Sequence, residues 1–228
     1  MQVNDVFIIV PAYNENNQIR QTVRSLLTQP FQVVVVDDGS REEQASFLKG
    51  LPVVCIRHTV NLGQGAALQT GTDFALSKGA NFIVHFDADG QHNPKDLHGI
   101  LYPLLRRQAD ITIGSRFLLK ESAAMIPFSR KIILFLGRIF NFMYTGLWFS
   151  DAHNGLRAFT KDAARYLRIT ENRMAHASEI LYLIRKHRLK ALEIPVTILY
   201  TEYSIQKGQK GSNGIRIAFD LLLNKLFR

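Results

Sequence analysis

Phe82-Ile83-Val84-His85-Phe86-Asp87-Ala88-Asp89-Gly90-Gln91-His92 is the stretch whose reading decides the fold. Its first five residues, mostly apolar and rich in β-branched and aromatic types, predict a buried strand. The strand runs into two carboxylates separated by one alanine and followed by glycine. In open α/β sheets, ligands bind beyond the carboxyl ends of the strands, which puts Asp87 and Asp89 where chemistry occurs. Carboxylates this close repel each other unless a cation lies between them. A hard divalent ion, Mg²⁺ or Mn²⁺, carrying a substrate diphosphate would fill that place. The competing reading of Asp-x-Asp is a solvated acidic turn.

On the N-terminal side, Val6 to Val10 predicts a buried strand closed by Pro11-Ala12-Tyr13-Asn14-Glu15. Asn14 is placed to cap a helix striped by Ile19, Val23, Leu26 and Leu27. Val33 to Val36 predicts a strand ending in Asp37-Asp38-Gly39-Ser40, and Val53 to Ile56 another. Asn61-Leu62-Gly63-Gln64-Gly65 then opens a helix with Ala66, Ala67, Thr70, Phe74 and Ala75 on its core side. Beyond the aspartates, Pro94 starts a helix through Leu97 to Leu105, and Ile111 to Ile113 is a strand closed by Gly114-Ser115-Arg116. Strands alternating with amphipathic helices at this rhythm predict an α/β, doubly wound, mostly parallel sheet.

The 228 residues suffice for one sizeable domain with a large core. A net charge of +9 predicts an anionic partner: nucleotide phosphates, an anionic membrane surface or nucleic acid. With no zinc-ligand spacing and no aromatic-studded RNA signature, nucleic acid is not expected. The lone Cys55 sits in an apolar run, which predicts core packing and a reducing compartment without an internal disulfide. Met1 leads almost directly into a strand, so no signal peptide is expected.

The second half is less regular. Ile132 to Phe149 predicts an apolar helix interrupted by Arg138, Asn141 and Thr145, too short and too charged to span a bilayer. It reads as an interfacial or partner-facing helix, or as an ordinary core helix. A helix around Ala175 to Arg188 and a strand from Leu192 to Leu199 follow. A glycine- and lysine-rich tail, Ile205 to Gly214, precedes a last amphipathic helix from Ile215, with Arg216, Lys225 and Arg228 basic.

Several side chains have both a chemical and a plain reading. Asp37 or, nearer the loop, Asp38 can accept hydrogen bonds from a base or ribose, or simply make an Asp-Gly turn. Asn61 to Gly65 can bring backbone N–H groups to a phosphate, or serve only as a loop into a helix. Arg116 and Arg157, each read as following a short strand and turn, can clamp phosphate oxygens or form surface ion pairs. Asp151 is a candidate general base or the acceptor in a turn. Glu179, within a helix, can be a ligand-side carboxylate or a solvated one. No histidine pair has metal-ligand spacing.

Taken in order, Pro11-Ala12-Tyr13-Asn14-Glu15, Val36-Asp37-Asp38-Gly39-Ser40, Asn61-Leu62-Gly63-Gln64-Gly65, Asp87-Ala88-Asp89-Gly90-Gln91, Gly114-Ser115-Arg116 and Asn154-Gly155-Leu156-Arg157-Ala158-Phe159 resemble the family 2 glycosyltransferases of GT-A fold. The likeness is to the branch with dolichol-phosphate mannose synthase and bacterial polyprenyl-phosphate glycosyltransferases. The resemblance spans about residues 5 to 205. It implies a nucleoside-diphosphate sugar donor, Mg²⁺ or Mn²⁺, and inversion at the anomeric carbon. It places Asp38 on the nucleoside, and Asp87, Asp89 and Gln91 around the metal. Arg157 falls near the donor diphosphate, with Arg116 and Arg130 near an acceptor phosphate. Pro11, Tyr13, Glu15, Gly63 and Glu179 are the other expected substrate contacts, and Asp89, Asp151 and Arg157 the expected catalytic residues. Two positions differ from the usual pattern. Leu134 stands where those enzymes have a serine, and His153-Asn154-Gly155-Leu156-Arg157 replaces Thr-Ser-Gly-Phe-Arg.

The expectation is therefore an inverting, metal-dependent glycosyltransferase forming one domain over residues 1–228. Residues 1–116 make the nucleotide-sugar half and 117–228 the acceptor half. A lipid-phosphate acceptor, positioned by Arg116 and Arg130, needs no base. A saccharide hydroxyl, in cell-surface polysaccharide assembly, would need Asp151 to take its proton. The rivals are a sugar-1-phosphate nucleotidyltransferase, for which Pro11 to Glu15 lacks the glycine-rich basic loop, and an inactive nucleotide-sugar-binding subunit of a membrane complex. The expected location is cytoplasmic, peripheral on the inner face of the membrane, with a membrane-protein partner possible.

Overall fold

Alternation along the strands divides the core into two layers. The computed structural model describes residues 5–119, 135–139, 142–143, 145–172 and 175–199. In β1 (Val6–Ala12), Val6, Ile8, Val10 and Ala12 face one layer, and Phe7 and Ile9 the other. Helices α1 (Asn17–Leu26) and α4 (Asp96–Leu105) cover the first layer with Ile19, Val23, Leu26, Leu97, Ile100, Leu101 and Leu104. Helix α3 (Gln64–Ser77) covers the second. It is joined there by α5 (Lys161–Tyr166) and α6 (His176–Lys186). A short α2 (Gln44–Phe47) lies between β2 (Gln32–Asp37) and β3 (Val54–Arg57). Both faces of the sheet are therefore buried, as a parallel sheet requires.

The remaining strands are β4 (Phe82–His85), β5 (Ile111–Ser115), β6 (Arg157–Thr160) and β7 (Ala191–Pro195). The described residues form a seven-stranded sheet in the order β3-β2-β1-β4-β6-β5-β7. From β1 the chain winds outward through β2 and β3, then returns to lay β4 on the other side of β1. The crevice beyond β1 and β4 is thus the point where strand order reverses, the usual ligand position in such sheets. Strand β6 is antiparallel, wedged between β4 and β5.

The structure departs from expectation in four places. Arg157 opens a strand rather than following one. Asn14 does not cap α1: its N–H donates to Ser40 Oγ (2.9 Å) and its Oδ1 accepts from Arg41 N (2.9 Å). The buried face of α3 is Ala67, Leu68, Gly71, Thr72 and Ala75 rather than one through Ala66, Thr70 and Phe74. Gly71 permits this, since a Cβ there would lie 2.2 Å from Ile9 Cγ2. Within the expected 132–149 helix, residues 135–139, 142–143 and 145 are helical and Leu147 to Phe149 are not. Arg130, Lys131, Leu134 and everything after Leu199, including the tail and last helix, lie outside the described residues.

Candidate active site

Topology assembles the site at one rim. The parallel strands β1, β2, β4 and β5 all end there, and antiparallel β6 begins there, with Arg157 paired to both His85 and Ile113. Residues 13–15, 37–40, 86–92, 115–116 and 151–157 are thereby brought to a single edge. Pro11 is tolerated within β1 because β4 pairs with β1 only as far as Ile9, so its missing N–H costs no ladder bond. Tyr13 beyond it is exposed, and Glu15 is buried.

Asp38 is buried and turned inward. It accepts from Leu62 N (2.9 Å) and Gly63 N (2.7 Å), and His58 Nδ1 lies 2.8 Å away, with His58 Nε2 on Thr70 Oγ1 (2.9 Å). Three of the roughly four acceptor positions of a carboxylate are thus used within the chain, and the first task of Asp38 is to hold the 61–63 loop. Asp37 likewise closes its own turn through Ser40 N and Gln44 N. Three of the N–H groups of Asn61 to Gly65, the stretch expected to meet a phosphate, already have partners within the chain. Gly63 N serves Asp38, while Gly65 N and Ala66 N donate to Asn172 O. Glu179 is engaged within the chain as well: its carboxylate accepts from Thr170 N, Thr170 Oγ1 and Glu171 N, fixing the loop that carries Asn172.

The two strand-end aspartates are held in opposite ways. Asp87 accepts from Gln64 Nε2 on one oxygen (2.9 Å) and meets His92 Nε2 on the other (3.3 Å). It also presses on Gly155, where a Cβ would lie 1.9 Å from Asp87 Oδ2. Burial pushes its pKa up, but the His92 hydrogen bond and the charges of His92, Arg157 and His176 outweigh this and hold it below its usual value. Among the described residues Asp89 has only the Gln91 backbone N–H (3.0 Å), and burial with the charges of Asp87 and Glu15 raises it to about 6. Gln91 contributes its main chain here, its carbonyl also accepting from Leu199 N (2.8 Å).

Arg157 is the largest fully buried side chain among the described residues. One of its terminal nitrogens donates to Ala152 O (3.1 Å), and its Nε has no partner among the described residues. Burial lowers its pKa to about 10, against the pull of Asp87 and Asp151, so it stays charged at neutral pH. Burial and the Arg157 charge push His85 well below its usual range and His153 to about 4, leaving both neutral. One oxygen of Asp151 is engaged within the chain: Oδ2 accepts from Arg116 Nε (2.6 Å), Arg116 N (3.1 Å) and Asn154 Nδ2 (3.1 Å). Arg116 is correspondingly anchored rather than loose on the surface.

Among the described residues no three His, Cys, Asp or Glu side chains are grouped to hold a metal by themselves. The donor set still fits a hard cation. Mg²⁺-type ions are commonly held by one or two carboxylates plus substrate phosphates, and the raised pKa of Asp89 marks a carboxylate short of positive charge. Gln64, His92 and Gly155, all touching Asp87, were not singled out from sequence. The signal was their position inside the same motifs.

A family model described as glycosyl transferase family 2 matches residues 7–174, a span holding Asp38, Asp87, Asp89, Arg116 and Arg157. A UDP-N-acetylglucosamine–dolichyl-phosphate N-acetylglucosaminyltransferase of Methanococcus voltae is 31% identical, covering 97% of this chain and 96% of that protein. An undecaprenyl-phosphate mannosyltransferase of Micrococcus luteus is 29% identical, covering 92% and 89%. The crystal structure of glucosyl-3-phosphoglycerate synthase from Mycobacterium tuberculosis with Mn²⁺, UDP and glucosyl-3-phosphoglycerate superposes with a TM-score of 0.64, covering 95% and 79%. At 14% identity that likeness concerns the fold, the GT-A sheet of nucleotide-diphospho-sugar transferases. A rim built by one strand reversal, carrying these motifs inside the matched span, is that of a glycosyltransferase, and the chain belongs to glycosyl transferase family 2.

Proposed function

We propose that the enzyme transfers a sugar from a nucleoside-diphosphate sugar to a polyprenyl phosphate, with inversion, at the inner face of a membrane. The observation that carries this is the juxtaposition of Asp87 and Asp89 with a buried, charged Arg157 whose Nε has no partner among the described residues. A fully buried guanidinium with an unused donor is costly unless an anion completes it. A donor diphosphate is such an anion. The relatives support the acceptor: they name different sugars but both name a polyprenyl phosphate.

Asp87 and Asp89, with Gln91 beside them, would hold Mg²⁺ or Mn²⁺, which neutralises charge on the departing diphosphate when bound. Arg157 adds a second, preorganised positive charge on the same group as the bond from the anomeric carbon to the β-phosphate oxygen breaks. Asp38 and Gly63, through the 61–63 loop, and Tyr13 on the rim shape the nucleoside side. An oxygen of the lipid phosphate attacks the opposite face of the anomeric carbon, and the nucleoside diphosphate leaves. No base is required, and Arg116, with Arg130, positions the acceptor. A saccharide hydroxyl would need a carboxylate to take its proton, and one oxygen of Asp151 is already engaged by three donors.

The test is transfer by the purified chain from UDP-N-acetylglucosamine and other nucleoside-diphosphate sugars, with Mn²⁺, to polyprenyl phosphate or a soluble saccharide. The expected product is a lipid-linked sugar, lost in excess chelator, and reduced about 100-fold by Arg157→Lys. Glycosylation of the saccharide alone, abolished by Asp151→Asn, would overturn the reading.

A further inference from the structure

The apolar edge strand β7 carries one carboxylate, Glu193, which is turned onto the 150–151 segment. It is half-buried and pairs in register with Ile113 of β5. One oxygen, Oε1, accepts from Ser150 N (2.8 Å), Ser150 Oγ (2.7 Å) and Asp151 N (3.0 Å). Ser150 Oγ also meets Ser115 Oγ at the end of β5. Asp151, whose backbone Glu193 holds, grips the Arg116 guanidinium at 2.6 Å and the Arg116 N–H at 3.1 Å. A continuous line of charge-assisted hydrogen bonds therefore runs from the sheet edge, through the 150–151 turn, to Arg116.

We infer that Glu193 is a positioning residue for acceptor binding, acting on Arg116 through Asp151. The inference rests on the reading that Arg116 meets the acceptor phosphate. The 150–151 turn has no regular secondary structure. Its two backbone N–H groups point to one carboxylate, so the direction of the Asp151 side chain is set by Glu193. A carboxylate accepting several N–H groups is a strong and directional anchor. Its loss would let the Asp151–Arg116 pair shift together, and displacements of an ångström at a binding group are expensive.

Steady-state transfer by wild type, Glu193→Ala and Glu193→Gln separates the possibilities, with UDP binding in Mn²⁺ measured by calorimetry and melting temperature alongside. Glu193→Ala is expected to raise the KM for polyprenyl phosphate about tenfold, leaving the UDP dissociation constant within about twofold. Glu193→Gln, whose amide oxygen can still accept the N–H groups, should recover most of the loss. An unchanged acceptor KM in Glu193→Ala overturns the inference. So does an equal loss of acceptor and UDP binding that follows the drop in melting temperature. If Glu193→Ala does not fold, Glu193→Asp, whose shorter side chain draws the oxygen back from the 150–151 turn, is expected to raise the acceptor KM with UDP binding unchanged, and an unchanged acceptor KM in that variant overturns the inference. Failure of wild type to use polyprenyl phosphate overturns the parent reading instead.

Discussion

Asp87 and Asp89 stand one residue apart, yet one is surrounded by hydrogen-bond donors and positive charge and the other is not. Asp87 is kept ionised by His92, Arg157 and His176, whereas Asp89 is raised to about 6 by burial and its acidic neighbours. A folded pKa above the unfolded value of 3.8 means that the native state holds more protons than the unfolded state between about pH 4 and 6. The Asp89 contribution to stability therefore falls as pH rises through that window. In cation-free protein, Asp89→Asn is expected to be more stable than wild type by about 2 kcal/mol at pH 7, with the gap closing near pH 4. Urea melts across pH in chelator measure this, and a gap independent of pH would refute it. Mn²⁺ should stabilise wild type at pH 7 and the variant much less. Cys55, by contrast, has its thiol pushed up to about 11 by burial and by Asp37, which fits the packing role expected of it.

At the scale of elements, β6 is what makes the rim complete. Its antiparallel run places its first residue, Arg157, beside the last residue of β4, and the preceding turn must pass against Asp87. Gly155 is the residue that permits this passage. In Gly155→Ala the new Cβ would overlap Asp87 Oδ2 at 1.9 Å, so either the turn or the carboxylate must move. The expected result is UDP binding in Mn²⁺ weakened at least about tenfold, with the far-UV spectrum unchanged. Wild-type binding by this variant would show that the contact is not limiting. Helix α6 works more remotely, its Glu179 fixing the loop on which the first N–H groups of α3 close.

For the whole molecule, the net charge of +9 and the exposed apolar side chains of its second half act together. Leu118, Phe135, Leu136, Phe142, Met143 and Trp148 are exposed, and Arg138 lies 4.3 Å over the Trp148 ring. No described helix is long and apolar enough to cross a membrane. Such a surface suits interfacial binding, with anionic headgroups contributing about 1 kcal/mol per nearby Lys or Arg. Co-sedimentation with anionic vesicles should exceed that with neutral ones and weaken as salt rises from about 0.05 to 0.5 M. Equal partitioning onto both would remove the electrostatic component.

Local chemistry made much of this protein legible. Runs such as Val33 to Val36 and Phe82 to His85 are strands because their β-branched and aromatic residues fit a sheet buried on both faces. Chain order alone then put Asp87, Asp89 and Arg116 at strand ends. The six motifs in sequence led to the family. Side-chain partners were not legible, because a buried donor or acceptor bonds to whatever the topology brings near it. Asp38 met a loop 24 and 25 residues on, and Asp151 met an arginine 35 residues back. Of the N–H groups expected to face a phosphate, those of Leu62 and Gly63 went to Asp38 and that of Gly65 to Asn172. Sequence by itself determined that Asp38, Asp87, Asp89 and Arg116 reach the rim, since the ends of their strands follow from local periodicity. Only tertiary structure decided which of them are already engaged within the chain, since that depends on the antiparallel insertion of β6 and on loops that meet only after the sheet has formed.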